Sequence, residues 1–164
     1  MKHSTHRPIK MHPGLGKILP TLATVLAGLL TSSAPAATFA VHATDPSPFD
    51  GTAKGVMPGD TILLDGQTRT VFTFKNVIGS AGNPVTITNV GGAGGQFIYN
   101  NGTDPNADSW YFVGCQYIIL KGTPSPGNYD YGIKIAGTVA GKYGMFFGAN
   151  GSVGSSDFEI RDLE

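Results

Sequence analysis

The chain has little of what thiol and imidazole chemistry requires. Its 164 residues include a single cysteine, Cys115, so no disulfide can form within the chain. Cys115 lies in the apolar run WYFVGCQYIIL, where a buried structural thiol is expected rather than a nucleophile. All four histidines occur before residue 43, at His3, His6, His12 and His42. From residue 43 onward the chain has no histidine, so Ser-His-Asp catalysis, Cys-His catalysis and a His-based metal site are not expected there.

The chain also lacks an apolar run long enough to form a membrane-spanning helix. The longest such run, Ile18 to Leu30, has 13 residues and contains Pro20, whereas a spanning helix needs about 20. The run follows a basic segment, Lys2 to Lys17, and precedes small residues that include Ala34-Pro35-Ala36. These three regions are typical of an export signal peptide with an A-x-A cleavage site.

A second candidate cleavage sequence is Val41-His42-Ala43. We therefore predict that residues 1–43 comprise the signal peptide and its cleavage zone. No membrane span is expected after cleavage, and the predicted location is secreted, periplasmic or at the cell surface.

Acidic side chains are missing from the first 43 residues. Basic side chains are present there, at Lys2, Arg7, Lys10 and Lys17. The remainder has 7 basic and 11 acidic side chains, a net charge of 7 − 11 = −4. Binding to nucleic acid requires clustered Lys and Arg, so no nucleic-acid partner is expected.

No window after residue 60 shows a sustained helical period. Residues 44–60 are rich in Pro, Gly and Asp and are predicted to be an extended lead-in or N-terminal cap, with a short helical turn near Thr52–Val56. From residue 61 onward, short β-branched runs alternate with turn residues, which indicates many short strands. The predicted strands are Thr61–Leu64, Thr70–Lys75, Val85–Asn89, Gln96–Tyr99, Trp110–Val113, Tyr117–Lys121, Tyr131–Ile135, Gly144–Phe147 and Phe158–Leu163.

Four of these segments repeat one pattern, in which apolar residues alternate with others and a turn residue follows. They start at Ile62, Val85, Ile118 and Phe158, which are 23, 33 and 40 residues apart. The later intervals each contain two further strands, as a triangular parallel coil requires. A Greek-key sandwich would explain the short strands but not the returning pattern. The predicted inward-facing residues are Ile62, Leu64, Val85, Ile87, Ile118, Leu120, Phe158 and Ile160.

Several of the same segments resemble a known family. The phrase MPGDTILL at Met57–Leu64 resembles the entry strand of right-handed parallel β-helix proteins of the pectate-lyase-like superfamily. Asn83–Asn89, Gln116–Gly122 and Ser155–Ile160 resemble later strands of that group. The resemblance implies an all-β fold, a right-handed parallel β-helix or β-solenoid, with about three coils across residues 61–164.

The superfamily includes polysaccharide lyases, glycoside hydrolases, epimerases and surface proteins without known catalysis. The resemblance therefore implies the N-terminal part of a secreted carbohydrate-active enzyme, a lyase or hydrolase acting on acidic polysaccharide. The alternative is a non-catalytic, glycan-binding or adhesive β-helix at the cell surface. Family members usually have more coils, and Glu164 directly follows a predicted strand. We therefore expect a C-terminally truncated chain that is inactive alone.

A candidate substrate groove follows from the outward positions of the repeated strand. These become charged only in the last two coils, where Lys121 is expected beside Arg161 and near Glu159. Lys or Arg can act as the base in a lyase when its pKa is lowered. The alternative is a solvated strand face whose surface ion pair contributes little. Tyr129, in a predicted projecting loop, is a further candidate that could stack on a sugar ring.

No metal site is predicted in this chain, and its catalytic residues stay unassigned. Asp104 and Asp108 lack the number and spacing of ligands found in an EF-hand loop. No cofactor is evident, although a lyase mechanism would allow Ca²⁺ in a full-length protein. The expected partner is a polysaccharide or a cell-surface glycan.

Overall fold

Short β-strands make up most of the regular structure in the computed structural model, which describes residues 34–65, 68–69, 71–91, 97–100, 110–124, 131–136 and 143–163. Residues Ala34–Glu164 form a compact unit of their own. Within the described part, no helix is long and apolar enough to cross a membrane. The described elements are β1 (Thr38–Val41), β2 (Phe49–Asp50), α1 (Gly51–Lys54), β3 (Thr61–Leu64), β4 (Thr68–Arg69), β5 (Phe72–Lys75), β6 (Val85–Asn89), β7 (Phe97–Asn100), β8 (Trp110–Val113), β9 (Gln116–Lys121), β10 (Ile133–Ala136), β11 (Met145–Gly148) and β12 (Ser156–Arg161).

The strands form three sheets in which every named pair is parallel. Sheet A has the order β1-β3-β6-β9-β12, sheet B has β2-β5-β8-β11, and sheet C has β4-β7-β10. From β3 onward the chain visits sheets A, C and B in that order three times, and it then returns to sheet A with β12. The prediction of an all-β fold is confirmed, and its sheets are parallel.

The register of sheet A matches the predicted repeat except at its first step. Val85 pairs with Ile118, and Ile118 pairs with Phe158, as expected. Ile62, however, pairs with Ile87 rather than with Val85, so the predicted first interval was wrong by two residues. Because side chains alternate between the faces of a strand, a shift of two residues leaves each side chain on its predicted face.

The core lies between the sheets and contains most of the predicted inward-facing residues. Six of them are at most 1% exposed: Ile62, Leu64, Val85, Ile87, Ile118 and Leu120. The other two lie on β12, the edge strand of sheet A, where Phe158 is partly buried and Ile160 is 43% exposed. Each face assignment therefore holds for β3, β6 and β9, and burial decreases at the edge strand.

Sheet B contributes a column of aromatic rings to this core. Phe74 stacks on Phe112 with ring centroids 5.3 Å apart at 13°, and Phe112 stacks on Phe147 at 5.2 Å and 11°. Trp110 packs edge-on against Phe74, with the two centroids 5.9 Å apart, and is fully buried. Trp110 is thus a core residue, and the column runs across three successive strands of sheet B.

Cys115 belongs to the same buried core as the aromatic column. The thiol is fully buried, and its Sγ is 3.4 Å from the carbonyl oxygen of Phe74. Burial raises the pKa of Cys115 to about 11, so the neutral thiol dominates at physiological pH. The prediction of a buried structural cysteine is confirmed.

The segment before β3 is more ordered than its composition suggested. Helix α1 occurs close to the predicted helical turn, and the Asp50 side chain caps it by accepting from Ala53 N at 3.2 Å. Gly55 ends the helix with a left-handed φ of 76°. Strand β1 falls inside residues 1–43, and its four residues pair with Thr61–Leu64 of β3.

Candidate functional site

The outer face of sheet A brings together the charged residues predicted to form a groove. Strand alternation turns Lys121 and Arg161 away from the core, and the two are direct register partners on β9 and β12. Thr88 occupies the same row on β6, and Leu63 occupies it on β3. Along this row the side chains change from apolar to hydroxyl to two adjacent cations.

Glu159 joins this pair from the neighbouring row. One of its carboxylate oxygens lies 3.1 Å from Arg161 Nη1. About half of each side chain is exposed, 55% for Glu159 and 49% for Arg161, so water screens the pair and it contributes little to stability. The structure thus brings together Lys121, Glu159 and Arg161 as expected, with both partners of the ion pair accessible to a ligand.

A shallow groove of about 250 Å³ lies beside Glu159 on the same face. Tyr117 and Asp157 occupy equivalent positions on β9 and β12, between two aligned residue pairs, and both have left-handed backbone (φ 52° and 58°). Two aromatic residues, Tyr117 and Phe158, and two acidic residues, Asp157 and Glu159, therefore line the groove. Its lining residues are Ser80, Ala81, Pro84, Tyr117, Ile118, Ile119, Asp157, Phe158 and Glu159.

Other predicted features cannot be placed in this site. Tyr129, the candidate for sugar stacking, lies outside the described residues, as do Asp104 and Asp108. Within the described ranges, no group of three or more His, Cys, Asp or Glu side chains is arranged to hold a metal ion.

A polar cluster that the sequence did not reveal follows the ends of β1 and β3. His42 Nδ1 lies 2.6 Å from Asp65 Oδ2, and His42 N donates to Asp45 Oδ2 at 2.8 Å. Arg69, which is 8% exposed, donates to the carbonyl oxygens of His42 and Asp45. Its guanidinium carbon also lies 3.9 Å from the centroid of the Phe72 ring. The cluster joins segments more than 20 residues apart, and no local motif marks it.

The pKa of His42 is raised, first by its hydrogen bond to Asp65 and then by the charge of that carboxylate. We expect Asp65→Asn to lower the pKa of His42 toward the ordinary value of about 6.5. Because the pKa of His42 is higher in the folded state than in the unfolded state, protonation of His42 stabilises the fold. This stabilisation is complete when the pH is below the pKa of the unfolded state. That contribution is lost as the pH rises through the raised value.

An NMR titration of the imidazole resonances measures this change, with His42→Gln identifying the signal. Asp45→Asn is the matched control and should produce a smaller shift, because the charge of Asp45 is the smallest cause of the raised pKa. Equal titration curves for the wild type and Asp65→Asn would contradict the assignment.

Comparison with known proteins identifies no relative of this chain. No family model matches it, no curated protein is significantly similar, and no solved structure is significantly similar.

Proposed function

We propose that the chain is an exported parallel β-helix protein that binds anionic polysaccharide on the outer face of sheet A. The repeated order of sheets A, C and B supports a solenoid, because each return to sheet A pairs with the strand of the previous return. The resemblance of Met57–Leu64 and Gln116–Gly122 to the pectate-lyase-like superfamily supports the same architecture with a right-handed coil.

Export is proposed from the leader sequence. A basic segment, a 13-residue apolar run and small residues follow one another in the order of a signal peptide. The compact unit begins at Ala34, within the A-x-A sequence. We therefore propose a location outside the cytoplasm: secreted, in the periplasm or at the cell surface.

The anionic class of the ligand is inferred from the register pairing of Lys121 with Arg161. Neighbouring strands lie about 4.8 Å apart, and like charges directly opposite each other on a sheet are destabilising. Glu159 neutralises part of the charge of Arg161, whereas Lys121 has no ion-pair partner among the residues that the structure describes. A polymer with repeated carboxylates would supply the missing negative charge along an exposed surface.

Reversing the charge of Lys121 tests this proposal. We expect Lys121→Glu to weaken binding of polygalacturonate by at least about tenfold, because the substitution places a carboxylate against the carboxylates of the ligand. The dissociation constant is measured by isothermal titration calorimetry with the exported protein at low salt, where screening is weak.

Lys75→Glu is the matched control, since it changes the net charge equally on sheet B and should alter the affinity less than twofold. Neutral dextran should not bind to any of the proteins. Equal losses from the two charge reversals would indicate only long-range repulsion. Failure of the wild type to bind either polygalacturonate or alginate would overturn the proposal.

A hydrolytic or eliminating enzyme is the second candidate, and the groove beside Glu159 favours it. Asp157 and Glu159 both line this groove, and paired carboxylates are the catalytic groups of most glycoside hydrolases. New reducing ends released from polygalacturonate would indicate a hydrolase, and unsaturated uronate products would indicate a lyase. Binding without either product would support the non-catalytic role.

A further inference from the structure

The carboxylate of Asp60 is buried, and its hydrogen bonds to the described residues come from two backbone amides. Asp60 is 4% exposed. Its Oδ1 accepts from Ala37 N at 2.7 Å, and its Oδ2 accepts from Met57 N at 2.7 Å. Two amide donors satisfy both oxygens, but they leave the negative charge without a counter-ion. A buried charge of this kind is costly unless it is paired, and Asp60 has no ion-pair partner in the described ranges.

Ala37 and Asp60 are held together by more than the side chain. Thr61 N donates to Ala37 O at 2.9 Å, so the backbone on either side of Ala37 is fixed against the start of β3. Residues 34–37 are exposed and belong to no helix or strand. A peptidase can therefore reach the bond that precedes Ala37, while Ala37 N stays directed at Asp60.

The sequence before Ala37 matches the requirement of a signal-peptide endopeptidase. Ala36 and Ala34 supply small residues at the last and third-last positions of the leader. Cleavage at the other candidate site, after Ala43, would remove β1. It would also remove one of the two donors to Asp60 and the strand that pairs with Thr61–Leu64. Retention of these contacts favours cleavage after Ala36 over cleavage after Ala43.

We propose that hydrolysis of the Ala36–Ala37 peptide bond creates an α-ammonium group that forms an ion pair with the buried carboxylate of Asp60. Water attacks the Ala36 carbonyl on a signal-peptide endopeptidase of the exporting cell. The products are a carboxylate on Ala36 and an ammonium group on Ala37. The same nitrogen that donated as an amide then carries the missing positive charge, so removal of the leader stabilises the exported fold. The inference rests on the proposed export and is independent of polysaccharide binding.

The first test is the N-terminal residue of the exported product. The full chain is expressed in a bacterium with a periplasm, and the periplasmic protein is examined by N-terminal sequencing and intact mass. We expect the product to begin at Ala37. A product that begins at Thr44, or one that retains the leader, would overturn the inference. A product that begins at Ala37 but does not bind polygalacturonate would leave it intact.

The second test measures the ion pair. The exported protein is unfolded, acetylated selectively at its α-amino group at mildly acidic pH, and refolded. Acetylation restores the neutral amide of the uncleaved chain without adding a leader. We expect acetylation to lower Tm by at least about 3 °C in the wild type. In Asp60→Asn it should lower Tm by less than about 1 °C, because the variant has no carboxylate to pair with the ammonium group. The difference between the two effects measures the ion pair.

Asp65→Asn is the matched control, because it removes a carboxylate elsewhere and should keep the full effect of acetylation. Equal effects of acetylation in the wild type and in Asp60→Asn would overturn the pairing. If Asp60→Asn does not accumulate, the test uses the Tm of the wild type before and after acetylation. An unchanged Tm after acetylation would overturn the ion pair.

Discussion

Replacing Phe74 with alanine is expected to lower the free energy of unfolding by about 4 kcal/mol. Phe74 is fully buried, and its ring contacts four other aromatic rings. Removing it deletes a large apolar side chain and leaves a cavity that stacked strands cannot close without moving the backbone. The four ring partners are Phe49, Phe72, Trp110 and Phe112.

Thr73→Ala is the matched control for Phe74→Ala. Thr73 is the preceding residue on β5, only partly buried, and its backbone amide rather than its hydroxyl bonds to Ser47. We expect this control to change stability by at most about 0.5 kcal/mol. Urea unfolding followed by circular dichroism measures both variants. A loss below about 1 kcal/mol for Phe74→Ala would show that the aromatic column is not a principal source of stability.

The second large effect is expected at Gly79, where three backbone atoms of neighbouring segments leave no space for a side chain. A Cβ atom there would lie 2.5 Å from Tyr117 O, 2.7 Å from Val85 N and 2.9 Å from Pro84 Cα. Gly79 N also donates to Gln116 O at 2.9 Å, so the close approach is part of the pairing between successive segments. We expect Gly79→Ala to cost about 3 kcal/mol, because the backbone must separate to admit the methyl group.

Gly82→Ala gives the comparison for this prediction. Gly82 lies three residues away, and no atom lies within 4 Å of a Cβ built there. Its substitution should change stability by at most about 0.5 kcal/mol. The midpoints and slopes of urea unfolding for both variants test the contrast. If the two variants have the same stability, the close approach at Gly79 does not constrain the fold.

The strands that the sequence predicted are short runs of apolar and β-branched residues that turn residues separate. Val85–Asn89 and Trp110–Val113 were found with their predicted bounds. Strands β2 and β4 were missed, since each has two residues and exists only because a neighbouring strand supplies its partners. Local pattern cannot reveal such strands, because their stabilisation comes from residues distant in sequence.

The candidate site was predictable to the extent that it follows from strand alternation. The repeat of β9 in β12 was enough to predict that Lys121 and Arg161 are adjacent, because the interval between these two strands was predicted correctly. The cluster of His42, Asp65 and Arg69 was not predictable, because it depends on β1 pairing with β3. The pattern of residues 1–43 indicates a leader, and it gives no sign that Thr38–Val41 forms a strand that pairs with β3.

The position of Trp110 makes its fluorescence a probe of unfolding in the core. It is the sole tryptophan, fully buried, with its ring 5.9 Å from Phe74 and 6.0 Å from Phe112. Its emission therefore reports solvent entry at the centre of sheet B and is insensitive to fraying confined to β1 or β12. Fluorescence and circular dichroism will give coincident melting curves only if the outer strands and the centre separate in one step.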